Sequence, residues 1–506
     1  MSESRREFLK FVLTGSVAAG CPIDLSASPS SLPSVPQVEG DHFEICHEIR
    51  DKHVFARPAV SKRHDIVIVG GGVSGMSAAY FLRNHDFLLL EKEPHWGGNA
   101  YLETYGGQAF ATGSAFDVKG SASDQLSREL GLNPLAIDNH DPTIVRNKWV
   151  PDTWRDGIDQ LPYPVTVRDA FKKFRKQMLA VDPDKETARL DALALSHFLK
   201  DYPPEITQWW DTYGPSNWGA EAANTSAFVA VSDLHDMASS EPDERVTLPG
   251  GNGVLAQRLA ETLSAKFSDQ MLSGATIVAV EPQRAGVHVT YFHGGQLRTV
   301  AATFVIMATP KFIAARLVSG LPDAQSAAMT SIHYRPYSVI NAIFDRPVYR
   351  KGYDTWCPGN AFTDFVVAEW VLLKQGGDSP KNNIITFYTP IAEDDRAQLL
   401  TDEGCLTIAR RVLGDFRRLL PELSAPPVEV HFYRRGHPMF VSSPGTFTRA
   451  IPAASHPFGR IYFANTDSVG PVSDIAAAVE AAHRTADQIE KRMAGFRSTG
   501  LPCLPA

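Results

Sequence analysis

The chain has 506 residues, more than one compact core usually holds, so we expect two closely joined domains. A hydrophobic share of 43% with 21% charged residues is typical of globular proteins and excludes wholesale disorder. The formal net charge of −8, without a basic stripe, excludes a general nucleic-acid binder. The five cysteines are scattered and form no CxxC pair, so we expect no metal site.

Residues 1–27 carry the pattern of an export signal. Arg5 and Arg6 precede an uncharged, mildly apolar stretch over 11–20. This order predicts a twin-arginine signal, with the twin-arginine export machinery as a partner and a periplasmic or exported location. Because that route carries folded proteins, it also predicts a tightly bound cofactor. An amphipathic N-terminal helix with two chance arginines is the alternative.

Processing of this segment has two interpretations. Cleavage after Ala27 fits the small residues there, but the segment from Ala18 to Cys21 also resembles a lipoprotein box. A lipid on Cys21 would tether the protein to a membrane surface. The Ser/Pro-rich stretch 26–36 predicts a flexible spacer, and we assign 28–61 as linker and lead-in.

A nucleotide-binding pattern begins at residue 64. The β-branched run 64–69 predicts a buried parallel strand. Gly70, Gly72 and Gly75 follow it directly in GxGxxG spacing, and a helical pattern comes next. We expect Gly70 to permit the tight turn, Gly72 to let a pyrophosphate approach the backbone, and Gly75 to let helix and strand pack closely.

An acid and a second pair of glycines extend this pattern. The apolar run 87–90 predicts a second strand that ends in Glu91, which we expect to accept hydrogen bonds from an adenosine ribose. Gly97, Gly98 and Asn99 come shortly afterwards. This order resembles the flavin amine oxidase superfamily, in which the second glycine pair lies along the FAD diphosphate. The resemblance implies FAD, and we expect it to be non-covalent because no flavin-linking motif is evident.

Two later segments resemble the same superfamily. The segment 248–253 resembles its PGG turn, and the strand after it holds Val278, whose backbone the resemblance places near the adenine. Near the C-terminus, Asp467 corresponds to an acid that contacts the cofactor, and an alanine-rich helix over 475–493 follows. The FAD domain is therefore expected to be discontinuous.

The resemblance implies an α/β fold with a discontinuous Rossmann-type FAD-binding domain and an inserted mixed-sheet substrate domain. We assign 62–120, 245–310 and 455–495 to the FAD-binding domain. We assign 121–244 and 311–454 to the substrate-binding domain. In the substrate-binding domain, 337–344 and 384–388 are the strongest strand candidates.

Within the superfamily, the chain is similar to spermidine dehydrogenase-like oxidoreductases. The segments that carry this similarity are 41–44, 96–100, 434–437 and 473–474. Those proteins are described as carrying haem beside the flavin. The resemblance therefore implies His42, His47 and His53 as conceivable haem ligands, although surface histidines are the simpler interpretation.

Two residues are candidate catalytic groups. Asp474, at the start of the last helix, would hold a second ammonium group of a polyamine, or it would only cap the helix. His437 would accept a proton near the flavin, or it would be a buried histidine bonded to backbone. The aromatic cluster over 209–218 lines a substrate tunnel or belongs to the core.

Three functions are compatible with these features. The first is oxidation of an amine, with a polyamine as one candidate, by hydride transfer to FAD, with electrons passed to an electron-transfer partner or to oxygen. The second is desaturation or oxidation of a hydrophobic substrate, as in phytoene desaturase or protoporphyrinogen oxidase, which the aromatic cluster favours. The third is a non-catalytic escort protein with a flavin fold, which the intact flavin motifs disfavour.

Overall fold

A computed structural model describes residues 36–137, 142–239, 244–374, 380–421 and 425–498. The predicted twin-arginine signal and the lipidation site at Cys21 lie outside these residues. Within the described ranges, no helix combines the length and the apolar composition that crossing a membrane requires.

One of the two large sheets contains the predicted nucleotide-binding strands, and we call it the nucleotide sheet. Its strands, in spatial order, are Met271–Leu272, Phe87–Leu90, Val60–Val69, Gln296–Met307, Gly286–His293 and Thr276–Gln283, with Ile461–Phe463 also paired to Gln296–Met307. Val60–Val69 pairs in parallel with Phe87–Leu90 on one side and with Gln296–Met307 on the other. The two strands predicted around the glycine turn are therefore neighbours, and the first begins two residues before the expected boundary at 62.

Both faces of the nucleotide sheet are covered. Ile66 and Ile68 pack into the core on one face, whereas Val67 and Val69 pack into the core on the other. This follows from the two-residue repeat of a strand and explains why the run is apolar throughout. The helices that contribute to the first core are Val73–Phe81, Ala122–Glu129, Gly253–Phe267 and Ile475–Ser498. Those that contribute to the second core are Lys311–Leu317, Asp323–Ser331 and Ile451–Ala454.

The second large sheet belongs mainly to the substrate domain, and we call it the substrate sheet. Its strands, in spatial order, are Gln37–Glu39, Glu429–Tyr433, Tyr337–Phe344, Asn383–Pro390, Asp364–Val367, Asp354–Trp356, Thr143–Val145 and Lys148–Val150. It is mixed, as expected, because Gln37–Glu39 pairs in parallel while Tyr337–Phe344 pairs antiparallel on both sides. The strand Gln37–Glu39 lies in the predicted linker; three residues are too few to show a strand repeat, and their partners are distant in sequence.

A helical layer completes the substrate domain. Its helices are Val165–Leu179, Pro183–Asp191, Ser196–Leu199, Pro204–Asn217 and Ala227–Ser239. Their shared core is rich in aromatic rings, and Trp154, Trp210 and Trp218 are among its fully buried side chains. The remaining α-helices of the described residues are Glu44–Arg50, Trp370–Lys374 and Asp402–Leu419. The short strands outside both large sheets are Leu102–Tyr105, Gln108–Ala111, Asp117–Val118, Leu135–Ala136, Arg245–Thr247, Tyr334–Arg335 and Met439–Phe440.

Candidate functional site

A cavity of about 1460 Å³ lies between the two domains. Gly70, Gly72 and Glu91 line it from the nucleotide sheet, and Tyr337 and Tyr388 line it from the substrate sheet. One continuous space therefore joins the predicted nucleotide-binding residues to the substrate domain.

The glycines of the first turn have two structural roles: Gly70 and Gly75 permit close packing of the backbone, and Gly72 leaves space beside the turn. Gly70 has φ of +107°, and a Cβ at this position would lie 2.6 Å from the carbonyl oxygen of Ala308. A Cβ at Gly75 would lie 1.7 Å from the carbonyl oxygen of Gly70, so only glycine lets the helix approach the turn. Gly72 lines the cavity, and a Cβ there would have one neighbour within 4 Å, the Cα of Gly98 at 3.8 Å. Gly72 thus leaves open space for a ligand, whereas Gly75 permits close packing.

Glu91 stands at the end of the second nucleotide strand and faces the cavity. Its carboxylate accepts hydrogen bonds from the backbone N–H of Gly71 at 2.5 Å and of Glu93 at 2.7 Å. Burial raises the pKa of the Glu91 carboxyl, although both of these bonds favour the ionised form. The predicted ribose acid is therefore held in a defined orientation beside the glycine turn.

The second glycine pair is joined to the first turn and to the substrate domain. The N–H of Gly97 donates to the carbonyl of Gly71 at 3.0 Å. Asn99 donates from Nδ2 to the carbonyl of Pro438 at 3.0 Å, next to His437. Gly98 and Asn99 both line the cavity, as expected for residues along a diphosphate.

Polar atoms at this end of the cavity match a dinucleotide. The hydroxyl of Thr309 and Nδ1 of His95 are buried on lining residues and lack a hydrogen-bond partner among the described residues. Together with the open cradle at Gly72, they fit a ligand that brings its own donors and acceptors. Thr276 and Ile277 also line the cavity.

Val278 does not line the cavity, although the two residues before it in the same strand do. The pairing of its strand shifts between Ile277 and Ala279, which marks a bulge at Val278. Val278 is buried and is not part of the cavity wall, which Thr276 and Ile277 form instead. A one-residue irregularity of this kind leaves no trace in an apolar strand pattern.

Asp467 does not reach the cavity, in contrast to the predicted cofactor contact. Its side chain is fully buried and accepts hydrogen bonds from Nζ of Lys311 at 2.6 Å, from the Lys311 N–H at 2.8 Å and from the hydroxyl of Tyr334. Burial lowers the pKa of Lys311, while Asp467 opposes that shift. The preceding residues, Asn465 and Thr466, line the cavity in its place.

Asp474 caps the last helix and also lines the cavity. Oδ1 accepts a hydrogen bond from the N–H of Ala477 at 2.6 Å, so the side chain caps the last helix. The same residue lines the cavity and keeps more than a third of its surface accessible. Burial raises the pKa of Asp474 to about 6.

His437 lines the cavity. Its ring packs against Phe312 with centroids 4.7 Å apart. Burial, with help from Arg396 and Arg316, lowers the pKa of His437 to about 3. An imidazole with this pKa is a weak base at neutral pH, so its burial and the two arginines weigh against the role as proton acceptor, which stays a prediction. The charged neighbours of Asp474 are instead Asp117 and Glu480, so the structure gives the two candidates different surroundings.

Two carboxylates, Asp233 and Asp364, line the cavity together with the rings of Tyr213, Trp218 and Trp356. We call the part of the cavity that these residues line the chamber. Asp233 accepts hydrogen bonds from Nε1 of Trp218 at 2.7 Å and from the hydroxyl of Tyr213 at 3.4 Å. Asp364 accepts from the hydroxyls of Ser216 at 2.9 Å and Thr363 at 2.6 Å. Burial raises the pKa of each carboxyl to about 7. These acids were not predicted, because neither aspartate belongs to a recognisable sequence motif.

The aromatic cluster over 209–218 is divided between core and cavity. Trp209 and Trp210 are buried and do not line the cavity, whereas Tyr213 and Trp218 do. Trp356 packs against Tyr213 with ring centroids 4.7 Å apart and adds a further aromatic wall. The chamber therefore joins carboxylates to aromatic faces.

The three lead-in histidines have different surroundings. The ring of His42 pairs with Glu93, His47 lines the cavity, and His53 lies against the ring of Phe55. Over the part of the chain that the structure describes, no group of three or more His, Cys, Asp and Glu side chains could hold a metal ion. The haem ligands implied by resemblance stay a prediction.

Known proteins share this fold and sequence pattern. Residues 73–490 match the family described as flavin containing amine oxidoreductase. Oxidoreductase PigB of Serratia sp. (strain ATCC 39006) is 23% identical, covering 84% of this chain and 74% of PigB. Flavin-containing amine oxidase A of Canis lupus familiaris is 23% identical, covering 84% of each chain.

Solved structures agree on the fold. Putrescine oxidase bound to putrescine superposes with a TM-score of 0.67 at 19% identity, covering 85% of this chain and 99% of the other. Cyclohexylamine oxidase from Brevibacterium oxydans IH-35A gives 0.66 at 18% identity, with coverage of 85% and 99%. These likenesses confirm the α/β fold, and the family match covers most of the chain. The protein belongs to the flavin-containing amine oxidoreductase family and is an FAD-dependent oxidoreductase.

Proposed function

We propose that this enzyme oxidises a small amine that carries a second ammonium group, a diamine or polyamine, with non-covalent FAD as its cofactor. The observation that carries the proposal is a pair of carboxylates among the aromatic rings of the chamber, the buried Asp364 and the partly buried Asp233. An ammonium group is bound strongly by carboxylates and aromatic faces when water is excluded. The chamber therefore suits the end of a substrate that stays charged.

The roles of the chain's residues follow from their positions. When bound, FAD would supply the acceptor for a hydride from the carbon beside the reacting nitrogen. The enclosed cavity lowers the stability of charged groups, which favours the neutral amine that this reaction needs. Asp474, with a pKa of about 6, is mostly ionised at neutral pH and is placed to hold a nearby substrate nitrogen while it caps the last helix.

An apolar substrate is the second candidate, and the aromatic wall of Tyr213, Trp218 and Trp356 favours it. A protein described as putative protoporphyrinogen oxidase from Exiguobacterium sp. 255-15 also shares the fold, with a TM-score of 0.64 at 18% identity. A neutral ligand would leave Asp233 and Asp364 desolvated without a cation, which is unfavourable. We therefore prefer the cationic substrate. Membership of an oxidoreductase family disfavours the escort function.

Anaerobic mixing tests the substrate class directly. The holoenzyme is mixed with linear diamines, with monoamines of equal length, and with apolar isoprenoids and porphyrinogens. We expect the oxidised flavin absorbance to bleach fastest with a diamine. Bleaching by apolar compounds, without bleaching by any amine, would contradict the proposal.

Asp364→Asn tests the chamber. Loss of one buried charged partner is expected to raise KM for a diamine by about 10–100-fold, because charge-assisted hydrogen bonds contribute about 1.5–3 kcal/mol. KM for the matched monoamine should change little. Asp394→Asn, in the exposed part of the helix Glu393–Leu400, is the control. An equal change in KM for diamine and monoamine would show that Asp364 does not bind the distal ammonium.

The chamber carboxylates also predict a pH dependence. Since their raised pKa values lie at about 7, Asp233 and Asp364 are largely protonated at pH 6 and largely ionised at pH 8. An aliphatic ammonium with a pKa of about 10 keeps its charge over this range. The ratio of kcat/KM for a diamine to that for a monoamine should therefore rise from pH 6 to pH 8. A ratio of kcat/KM values that does not change with pH in the wild type would contradict the role of these carboxylates. The same conclusion would follow if the double variant Asp233→Asn, Asp364→Asn kept the wild-type pH dependence of this ratio.

We further propose that the enzyme is exported with FAD already bound and passes its electrons to an acceptor outside the cytoplasm. The support is the Arg5 and Arg6 pair together with membership of a flavin-containing family. Replacing both arginines by lysine should leave the flavin-loaded protein in the cytoplasm, as measured by fractionation. Cys21→Ser then tests the lipid tether: loss of membrane association supports lipidation, and retention at the membrane argues against it.

A further inference from the structure

The lead-in segment crosses the mouth of the cavity from one domain to the other. Its strand Gln37–Glu39 extends the substrate sheet in parallel to Glu429–Tyr433. Its helix Glu44–Arg50 packs beside the strand Thr276–Gln283 of the nucleotide sheet. The residues between and within them that line the cavity include Gly40, Asp41, Phe43 and His47. Residues 37–50 thus form a wall of the cavity, and we call them the clasp.

Hydrogen bonds anchor the clasp to both domains. Oδ2 of Asp41 accepts from the N–H of Gly436 at 2.7 Å on the substrate side. On the nucleotide side, the N–H of His42 donates to Oε1 of Glu93 at 3.1 Å, and the His42 ring pairs with the same carboxylate. Nζ of Lys92 donates to the His42 carbonyl at 3.0 Å. Burial alone would raise the pKa of Glu93, but Lys92 and His42 hold it at about 2, so the anchor stays charged.

The backbone of the clasp places both anchors on one short turn. Asp41 has φ of +35°, in the left-handed region that non-glycine residues rarely adopt. Such a conformation persists where neighbouring contacts hold it. Here these are the bond from Asp41 to Gly436 and the bonds from the next residue to Glu93.

The clasp covers the adenosine and diphosphate end rather than the chamber. Lys92 and Glu93, its anchors, directly follow the ribose acid Glu91. The side chains around the clasp helix are cationic, since Arg50 and Arg316 both line the cavity beside His47. The chamber, in contrast, is lined by carboxylates. The clasp end therefore presents cations beside the carboxylates of Asp41, Glu91 and Glu93, and these cations suit the diphosphate of a dinucleotide.

We propose that the clasp retains the cofactor by closing over its adenosine diphosphate portion, with the contacts of His42 to Glu93 as the latch. This inference goes beyond the proposed substrate and rests only on FAD as the bound dinucleotide. FAD cannot leave past the clasp while Glu93 and Gly436 both hold it. Release then requires the latch to open.

His42→Ala tests the latch without any amine substrate. Release of FAD from the holoenzyme is followed by the rise in flavin fluorescence, and ADP binding to the apoprotein is measured by calorimetry. We expect FAD to leave at least about tenfold faster, and ADP to bind at least about tenfold more weakly, because a charge-assisted pair at the adenosine end is lost. His53→Ala removes a histidine of the same lead-in region that does not line the cavity, and it should match the wild type.

FAD release and ADP affinity together distinguish retention at the adenosine end from effects at the flavin end. Unchanged FAD release and unchanged ADP affinity in His42→Ala would overturn the proposal. Faster FAD release with unchanged ADP affinity would also overturn it, because the effect would then lie at the flavin end. Glu93→Gln provides a second variant, and equal unfolding midpoints of the apoproteins exclude a general loss of structure. A failure to oxidise diamines would contradict the proposed function and leave these cofactor measurements unaffected.

Discussion

Replacing Lys311 by methionine is expected to destabilise the protein by about 3–5 kcal/mol, because it leaves the fully buried carboxylate of Asp467 without its cation. Nζ of Lys311 lies 2.6 Å from Oδ1 of Asp467, and neither side chain is accessible to solvent. The expected result is a lower midpoint in urea unfolding, measured on holoprotein and apoprotein. The flavin need not take part, since Asp467 does not line the cavity.

A matched exposed pair provides the control. Nζ of Lys172 also lies 2.6 Å from a carboxylate, that of Asp159, but both side chains are largely exposed. Lys172→Met should therefore change stability by less than about 1 kcal/mol. Lys311→Met combined with Asp467→Leu should recover part of the loss, because no unpaired buried charge remains. Equal effects of Lys311→Met and Lys172→Met would show that the buried pair is not a restraint on the fold.

Gly72→Val is expected to abolish tight flavin binding while the protein still folds. The backbone of Gly72 has φ of −70°, which any residue can adopt, and a Cβ there would project into open space beside Gly98. A valine would fill the space that the diphosphate needs. We expect the FAD dissociation constant to rise by at least about 100-fold, equivalent to about 3 kcal/mol of overpacking. Reconstitution of the apoprotein with FAD measures it.

Gly75→Val provides the contrast. A Cβ at Gly75 would lie 1.7 Å from the Gly70 carbonyl oxygen, so this variant should lose the packing of helix on strand and fold poorly. The apoprotein of Gly72→Val should keep the wild-type unfolding midpoint, whereas that of Gly75→Val should not. Normal FAD binding by Gly72→Val would contradict the assignment of the diphosphate to the space beside Gly72.

The two variants connect fold and function in this family. Gly75 acts through packing and Gly72 through the space it leaves, although both belong to one motif. The same distinction applies to acids near the cofactor. Asp467 acts through Lys311 inside the fold, whereas Asp474 lies on the cavity wall and caps a helix at the same time. Motif membership alone does not separate these roles.

Local patterns were sufficient for the nucleotide half of the molecule. The strand, the glycines Gly70, Gly72 and Gly75, and the acid Glu91 follow one another within a short stretch of chain. All of these residues belong to one βαβ unit, and their positions in it depend on backbone sterics. Their spacing in the sequence is therefore enough to predict where each of them lies. The resemblance built on them also led to the correct family and to the α/β fold.

Other predictions depended on contacts between distant residues. Val278 was misplaced by a bulge, and Asp467 is turned away from the cavity by Lys311, which lies 156 positions earlier. His437 is a weak base because packing against Phe312 and the approach of Arg396 remove it from water and add positive charge. Lys311, Phe312 and Arg396 are distant in sequence from the residues that they affect, whereas the bulge lies within the strand of Val278 itself.

The glycine turn, its acid and the family were determined by the sequence itself, because each depends on residues that are close along the chain. The tertiary structure alone decided which carboxylates line the chamber. Asp233 and Asp364 come from a helix and a strand separated by more than a hundred positions, and folding brings them to one chamber. It also decided that the lead-in lines the cavity, since Asp41 and His42 bond to Gly436 and Glu93, which are distant from each other in sequence. Burial and pKa arise only from such packing, so the sequence alone could not reveal the chemistry of the site.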